Sequence, residues 1–485
     1  MTLLVGLDVG TSSVKGLLVD AADGTVVARA EAEHPLSTPR PDWAEQDPEH
    51  WWAGAQVVLD ALGGEGAIDA IGLTGQMHGL VALDAADRVL RPAMLWNDGR
   101  TGDEAREIEA RIGLDALIAH TGNRALTGFT APKLVWLARH EPDVYARIDR
   151  IMLPKDYVRL RLCGEHATDV TDASGTLLFD VARRRWSDAV LEQLDVDRAW
   201  LPRALESPAL SGVTAGGTPV AAGAGDQAAG ALGVGVDRPG QAGTGSTGMV
   251  SIVLGTSGVV FAASQAFAAD PQARVHAFCH AVPGAWHSMG VMLSAAGSLR
   301  WLRDAVAPGS DYGALVCEAE RWEPGVEGLT FLPYLAGERT PHADPGARGA
   351  FTGLSLRHDR GALVRAVLEG VAFGLRDGLD LVAELSGRPD LGRVSGGGAR
   401  SGLWLRILAS VLELPLQRTA VDEGASFGAA LLGGVAAGAF ADVHEAVAAC
   451  VHPGEIVEPV AAWVEPYREA RERFTALYPV LRGVA

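Results

Sequence analysis

A carboxylate sits among small residues in Gly223-Ala224-Gly225-Asp226-Gln227-Ala228. By type and setting, Asp226 is either the cap of a helix or a positioned catalytic group. Two turns rich in Gly, Thr and Ser suggest a chemistry for the second role: Asp8-Val9-Gly10-Thr11-Ser12-Ser13 and Gly255-Thr256-Ser257-Gly258. Amides and hydroxyls that converge in such turns form a nest for phosphate oxygens. Asp8, just ahead of the first turn, repels phosphate but can hold Mg²⁺ or a magnesium-bound water that bridges to it. A carboxylate beside these turns would orient an alcohol and take its proton as a phosphoryl group transfers.

Other residues extend this set. Lys15, beyond the first turn, either adds a point charge to the phosphates or is a solvated strand residue; it is one of only three lysines, with Lys133 and Lys155. Ser395-Gly396-Gly397-Gly398-Ala399-Arg400 allows backbone to approach a flat ligand or a ribose closely, which adds a nucleoside loop to the two phosphate loops. The literal GxGxxG at Gly243–Gly248 is followed by the strand-like run Val250–Leu254 rather than a helix, so it is expected to be an inter-domain loop and not a dinucleotide site. No GxxxxGK[ST] motif is present. On the acceptor side, Gln76, Met77 and His78 follow one apolar run, and Trp96, Asp98 and Arg100 follow another. At strand ends these residues offer donors, acceptors and a ring face to a polyol, whose buried hydroxyls must each be paired. His78 reads equally well as a satisfied structural histidine.

The elements that must position these groups are legible in outline. Leu3–Leu7, Val14–Val19 and Thr25–Ala30 read as strands, with Asp23-Gly24 as a hairpin turn, so the first Gly-Thr-Ser motif lies between two strands. Ala70–Thr74 is a buried strand, and Gly102–Ile112 and Ala131–Arg139 have helical spacing. After the turn-rich Val236–Gly240 the opening pattern recurs: Ser251–Leu254, Gly-Thr-Ser, then Val259–Ala262. This predicts two structurally related α/β domains that face each other, 1–237 and 238–485. Glu465–Leu481 reads as an amphipathic helix packed on the second domain.

Composition narrows the class. A hydrophobic fraction of 48% in 485 residues suits large cores, and a net charge of -19 argues against nucleic acid as a partner. The four cysteines form no CxxC pair and are expected to be buried, reduced thiols of a cytoplasmic protein. No signal peptide is apparent at the start. Gly424–Ala441 carries no charge, but its Ala and Gly suit a helix packed inside a core better than a membrane span.

With these residues assembled, the chain resembles the FGGY carbohydrate kinases, from Leu3 to about Val435, and within them the xylulokinase branch. Asp8–Ser13 is similar to the family's first phosphate motif, and Gly128-Phe129-Thr130-Ala131-Pro132-Lys133 through His140 to its first signature. Gly75–Gly79, Trp96–Arg100, Leu153-Pro154-Lys155-Asp156-Tyr157 and Gly337-Glu338-Arg339-Thr340-Pro341-His342 read like that branch. The resemblance implies two ribonuclease-H-like domains of the actin type that flank an ATP cleft. It implies Asp226 as the base on the C5 hydroxyl of D-xylulose and Asp8 as the carboxylate on the magnesium and phosphate side. Met77 and His78 would contact the sugar, Gly255-Thr256-Ser257 would be the second phosphate loop, and Gly397-Gly398-Ala399 the adenosine loop. A homodimer is expected on the same basis. Three departures stand out: Gln227 where members commonly carry Asn beside the sugar, Ala362 in place of a polar helix cap, and Gly240–Gly248 as an insertion that lengthens the hinge. The rival readings are a kinase of this fold for ribulose, gluconate or glycerol, and a non-catalytic ATP-switched protein.

Overall fold

The computed structural model describes residues 1–63, 68–238, 248–421 and 424–482. The GxGxxG run and the lengthened hinge, Gly248 apart, lie outside the described residues.

Two mixed sheets are built on one plan. In the first, Leu3–Val9 pairs antiparallel with Ser13–Asp20, which pairs antiparallel with Val26–Glu33. On its other side Leu3–Val9 runs parallel to Ala70–Gly75, which is flanked by Pro219–Ala221. In the second, Met249–Leu254 pairs antiparallel with Gly258–Ser264, which pairs antiparallel with Trp286–Met292. Met249–Leu254 also runs parallel to Leu391–Ser395, which is flanked by Leu416–Thr419. The repeat expected from the two Gly-Thr-Ser turns is therefore a repeat of strand order, with each turn joining the first strand of its sheet to the second.

Alternation along the first strand buries both faces of its sheet. Val5, Leu7 and Val9 face a core closed by helix Pro48–Ala61, which contributes Trp51, Ala55 and Val58. Leu4 points the other way, into a core that includes Phe427, Ala430 and Leu431 of helix Gly424–Ala436. Although this helix belongs to the second half in sequence, it packs across Leu3–Val9 and Ala70–Gly75 of the first sheet. Gly6 makes the approach possible, because a Cβ there would collide with the carbonyl oxygen of Ser426. Helix Asp226–Gly233 crosses the same helix just as closely: a Cβ on Gly428 would strike the carbonyl oxygen of Ala229. The uncharged 424–436 segment is thus a helix inside the core, as its composition implied. Among the described residues no helix is long and apolar enough to cross a membrane.

Two details differ from expectation. The cap thought lost at Ala362 is supplied by Asp359, whose side chain accepts the Ala362 amide at 3.0 Å and starts helix Arg360–Ser386. All four cysteines are free, but only Cys279 and Cys450 are buried, and Cys317 is exposed on an amphipathic helix. The C-terminal helix begins at Ala461 and buries Tyr467, Ala470 and Phe474 in the core of the second half.

Candidate active site

Three parallel strand segments end side by side on the first sheet. Val9 pairs with Gly75, and Ala224-Gly225 pairs with Thr74-Gly75. The register brings Asp8, Gln76 and Asp226 to one edge, the carboxyl ends of the strands, where α/β sheets bind ligands. Gly225 is the N-cap and Asp226 the first helical residue, so Asp226 does not cap its helix. Burial and then the charge of Asp8 push the Asp226 carboxyl up to about 7. Burial likewise pushes Asp8 up to about 6, with Lys15 pulling the other way. The Asp8 Oδ1 is buried without a hydrogen-bond partner, as suits an oxygen ligand for a hard cation. Among the described residues no group of three or more His, Cys, Asp or Glu forms a cation cage. One or two carboxylates suffice for Mg²⁺ that arrives on phosphates.

The first turn is braced from behind. Thr11 Oγ1 donates to Gln76 Oε1 at 3.1 Å and accepts from Trp96 Nε1 at 3.0 Å. Gln46 Nε2 donates to the Thr11 carbonyl at 2.6 Å, and Gln46 Oε1 accepts from Gln76 and Trp51, both at 3.0 Å. Gln76 and Trp96 therefore meet the first Gly-Thr-Ser turn directly. Gln46 and Trp51, which fall in no motif, complete the support. Ser12 is exposed at the tip of the turn, while Ser13 Oγ donates to Glu31 at 2.6 Å. Lys15 Nζ lies 3.7 Å from the same Glu31 carboxylate.

Met77 lies against Gly225, the residue before Asp226, and His78 lies against Gly175. A Cβ on Gly225 would meet the Met77 thioether at 2.8 Å, and one on Gly175 would meet both Met77 and His78. His78 adopts a left-handed backbone, φ 70°, and sets its Nδ1 2.6 Å from the Gly175 carbonyl. Burial holds its imidazole down at about 3, so the ring is neutral. Nδ1–H is then the donor to Gly175, and Nε2 remains an acceptor. The His78 carbonyl accepts from Thr130 Oγ1 at 3.1 Å and from Lys133 Nζ at 2.8 Å, and Phe129 packs edge-on against the ring. Lys133 is committed to this carbonyl and to that of Gly128. Asp98 and Arg100 turn inward: Asp98 accepts from the Ala44 amide and from the Arg100 guanidinium, which stacks 3.5 Å above Trp43.

A buried network fixes the loop that carries Asp226. The Gly225 amide donates to Thr171 Oγ1 at 2.8 Å, and Thr171 Oγ1 donates to Asp169 at 2.5 Å. Lys155 bridges Asp156, Asp169 and Asp172 with no exposed side-chain surface, and Arg159 donates to the Ala222 carbonyl at 2.6 Å. Lys155 was singled out by its motif. Thr171 was missed, because only the tertiary fold brings it to Gly225.

In the second half, Gly255 and Thr256 meet Gly397 and Gly398 at a cavity of about 770 Å³, with Leu254, Leu403 and Trp404 on its apolar side and Arg300 and Arg400 on its polar side. The two loops follow adjacent parallel strands, Val253 being paired with Ser395. Gly396 has φ 89°, which only glycine adopts freely, and Gly397 presents open space to the cavity. Ala399 is buried behind the loop, and neither it nor Ser257 lines the cavity. Gln227 occupies the second helical position, beside Asp226.

The comparisons with known proteins agree with this layout. The model of the N-terminal domain of the FGGY family of carbohydrate kinases matches residues 3–233, and that of the C-terminal domain matches residues 250–437. The chain is 44% identical to a xylulose kinase of Escherichia coli, over 99% of both chains. It superposes on a xyloylose kinase from Brucella ovis with TM-score 0.90 at 43% identity, covering 100% of each chain. A gluconate kinase from Lactobacillus acidophilus, at 24% identity, shares the fold with TM-score 0.91, over 99% of this chain and 98% of that one. With both family domains matched in order and each half carrying its Gly-Thr-Ser turn at the same place in its sheet, the chain belongs to the FGGY family of carbohydrate kinases.

Proposed function

We propose that the protein transfers the γ-phosphoryl group of magnesium-ATP to the C5 hydroxyl of D-xylulose. The observation that carries this reading is the pair Asp8 and Asp226 at the ends of two strands that flank Ala70–Gly75, with Met77 against Gly225, next to Asp226. Names borne by the relatives favour xylulose over other sugars.

In this reading Asp226, its carboxyl raised toward neutrality, accepts the C5 hydroxyl proton as the oxygen attacks phosphorus. The magnesium that accompanies the nucleotide neutralises charge on the phosphates. Asp8 gives that cation an oxygen ligand, and the turns at Gly10–Ser12 and Gly255–Ser257 hold the phosphates from the two halves. The adenosine lies in the Gly255–Gly397 cavity, and His78 Nε2 accepts a sugar hydroxyl. Helices Asp226–Gly233 and Gly424–Ala436, crossing with glycines at the contact, form the joint on which the halves close to exclude water.

Release of ADP, followed with D-xylulose, ribulose, gluconate, glycerol and pentitols, tests the assignment. D-Xylulose is expected to give the highest kcat/KM. A clearly higher value for another of these substrates would reassign the sugar.

A further inference from the structure

The Gly337–His342 motif carries a side chain that the reaction above leaves without a task. Arg339 is anchored to the second sheet: the Thr340 amide donates to the Val291 carbonyl at 2.9 Å, and Thr340 Oγ1 accepts the Val291 amide at 3.0 Å. Glu338 stiffens the same turn by accepting the amides of Leu293 and Arg339 at 3.0 and 2.7 Å. From this base the guanidinium reaches the first half. A Cβ placed on Gly128 would lie 3.5 Å from its Nη2, and the Gly128 carbonyl is held by the same Lys133 that holds His78. The charge of Arg339 helps to keep Lys133, His78 and His276 less basic than usual.

Arg339 retains some exposure, and among the described residues no carboxylate or carbonyl accepts from its guanidinium. Each of the three neighbouring groups is already engaged: Lys133 with two carbonyls, His78 Nδ1 with Gly175, and His276 Nδ1 with Asn123 at 2.7 Å. The neighbouring Glu338 carboxylate attracts this cation but accepts backbone amides rather than the guanidinium, whose donors therefore need acceptors from elsewhere. The Arg339 contact is with Gly128, whose carbonyl shares Lys133 with that of His78, so Arg339 stands at the His78 end of the site.

We propose that Arg339 is a sugar-binding residue that recognises two adjacent oxygens at the end of the substrate opposite the phosphorylated hydroxyl. This inference rests on the sugar-kinase reading above. With C5 at Asp226, the end that extends past Met77 to His78 is C1–C2, a hydroxyl beside a ketone. The forked donors of a guanidinium match such a pair of acceptors. Because Arg339 comes from the second half and the rest of the sugar site from the first, it also joins sugar binding to closure of the halves.

The test compares wild type, Arg339→Gln and Arg339→Lys on D-xylulose and on the pentitol made by reducing its ketone. ADP affinity, measured by calorimetry, checks that each variant is folded. The wild type is expected to prefer the ketose, and Arg339→Gln to lose about 10- to 100-fold in kcat/KM on D-xylulose, chiefly through KM. The same variant should lose much less on the pentitol, so that discrimination collapses. Arg339→Lys should recover only part of the loss, because a point charge cannot bridge two oxygens. Equal losses on both compounds, full recovery with Lys, or an unchanged KM would overturn the inference while leaving the kinase reading intact. No turnover of D-xylulose by the wild type would instead overturn the substrate assignment, and with it this inference.

Discussion

Thr171 Oγ1 accepts the Gly225 amide at 2.8 Å and so fixes the backbone one residue before Asp226. Thr171 in turn donates to Asp169, which is held by Lys155. Thr171→Val keeps the shape but removes both bonds, leaving the buried Gly225 amide without its acceptor, while Asp169 Oδ2 keeps the Thr171 amide and Ser207 Oγ as donors. The expected result is a kcat lower by about 10-fold, with a stability loss of about 1–3 kcal/mol. The KM for ATP should not move, because the cavity proposed for the nucleotide lies in the other half. Steady-state kinetics and urea unfolding read the three quantities separately.

Titration of the carboxylate pair sets the pH profile. A base works only when deprotonated, and Asp226 lies near 7. The kcat/KM for sugar should therefore rise with pH through about 7 and then level off. For stability the sign is reversed. Asp226 holds its proton more tightly folded than unfolded, so the native state binds more protons and loses stability as pH rises from about 4 to about 7. Asp226→Asn should accordingly melt higher than wild type at pH 8, with the gain shrinking toward pH 4. Melting curves at the two pH values test this; an equal shift at both would remove the ionised carboxylate as its cause.

Gly397 separates fold from nucleotide binding. Its Cβ position meets nothing within 4 Å and borders the 770 Å³ cavity. Gly397→Ala should leave the melting temperature nearly unchanged while raising the KM for ATP by about 10-fold, since the added methyl occupies ligand space. A large fall in melting temperature with an unchanged KM would contradict the assignment of this cavity to the nucleotide.

Local patterns were readable and long-range partnerships were not. The strands that flank both Gly-Thr-Ser turns announce themselves as apolar runs, and the turns by residue type, so the two-part plan and its repeat are visible in the chain. Gln46 and Thr171 carry no local signal, and the motif that contains Arg339 does not say what its side chain meets. Each matters because folding brings it to a loop far away in sequence: Gln46 to Thr11, Thr171 to Gly225, Arg339 to Gly128. Asp98 and Arg100 illustrate the converse. Polar residues at a strand end look available to a ligand, but the Arg100 guanidinium is taken up between a carboxylate and an indole. Helix Gly424–Ala436 was legible as buried, yet an uncharged face of Ala and Gly does not say which sheet it covers.

The most direct measurement is ADP formation with saturating D-xylulose and magnesium-ATP by Asp226→Asn, a change that preserves size while removing the proton acceptor. Nucleotide affinity, measured alongside, shows that the second half is intact. The account predicts a kcat lower by about 10²- to 10⁴-fold with ADP binding retained. Turnover close to that of the wild type would contradict the placement of Asp226 at the reacting hydroxyl.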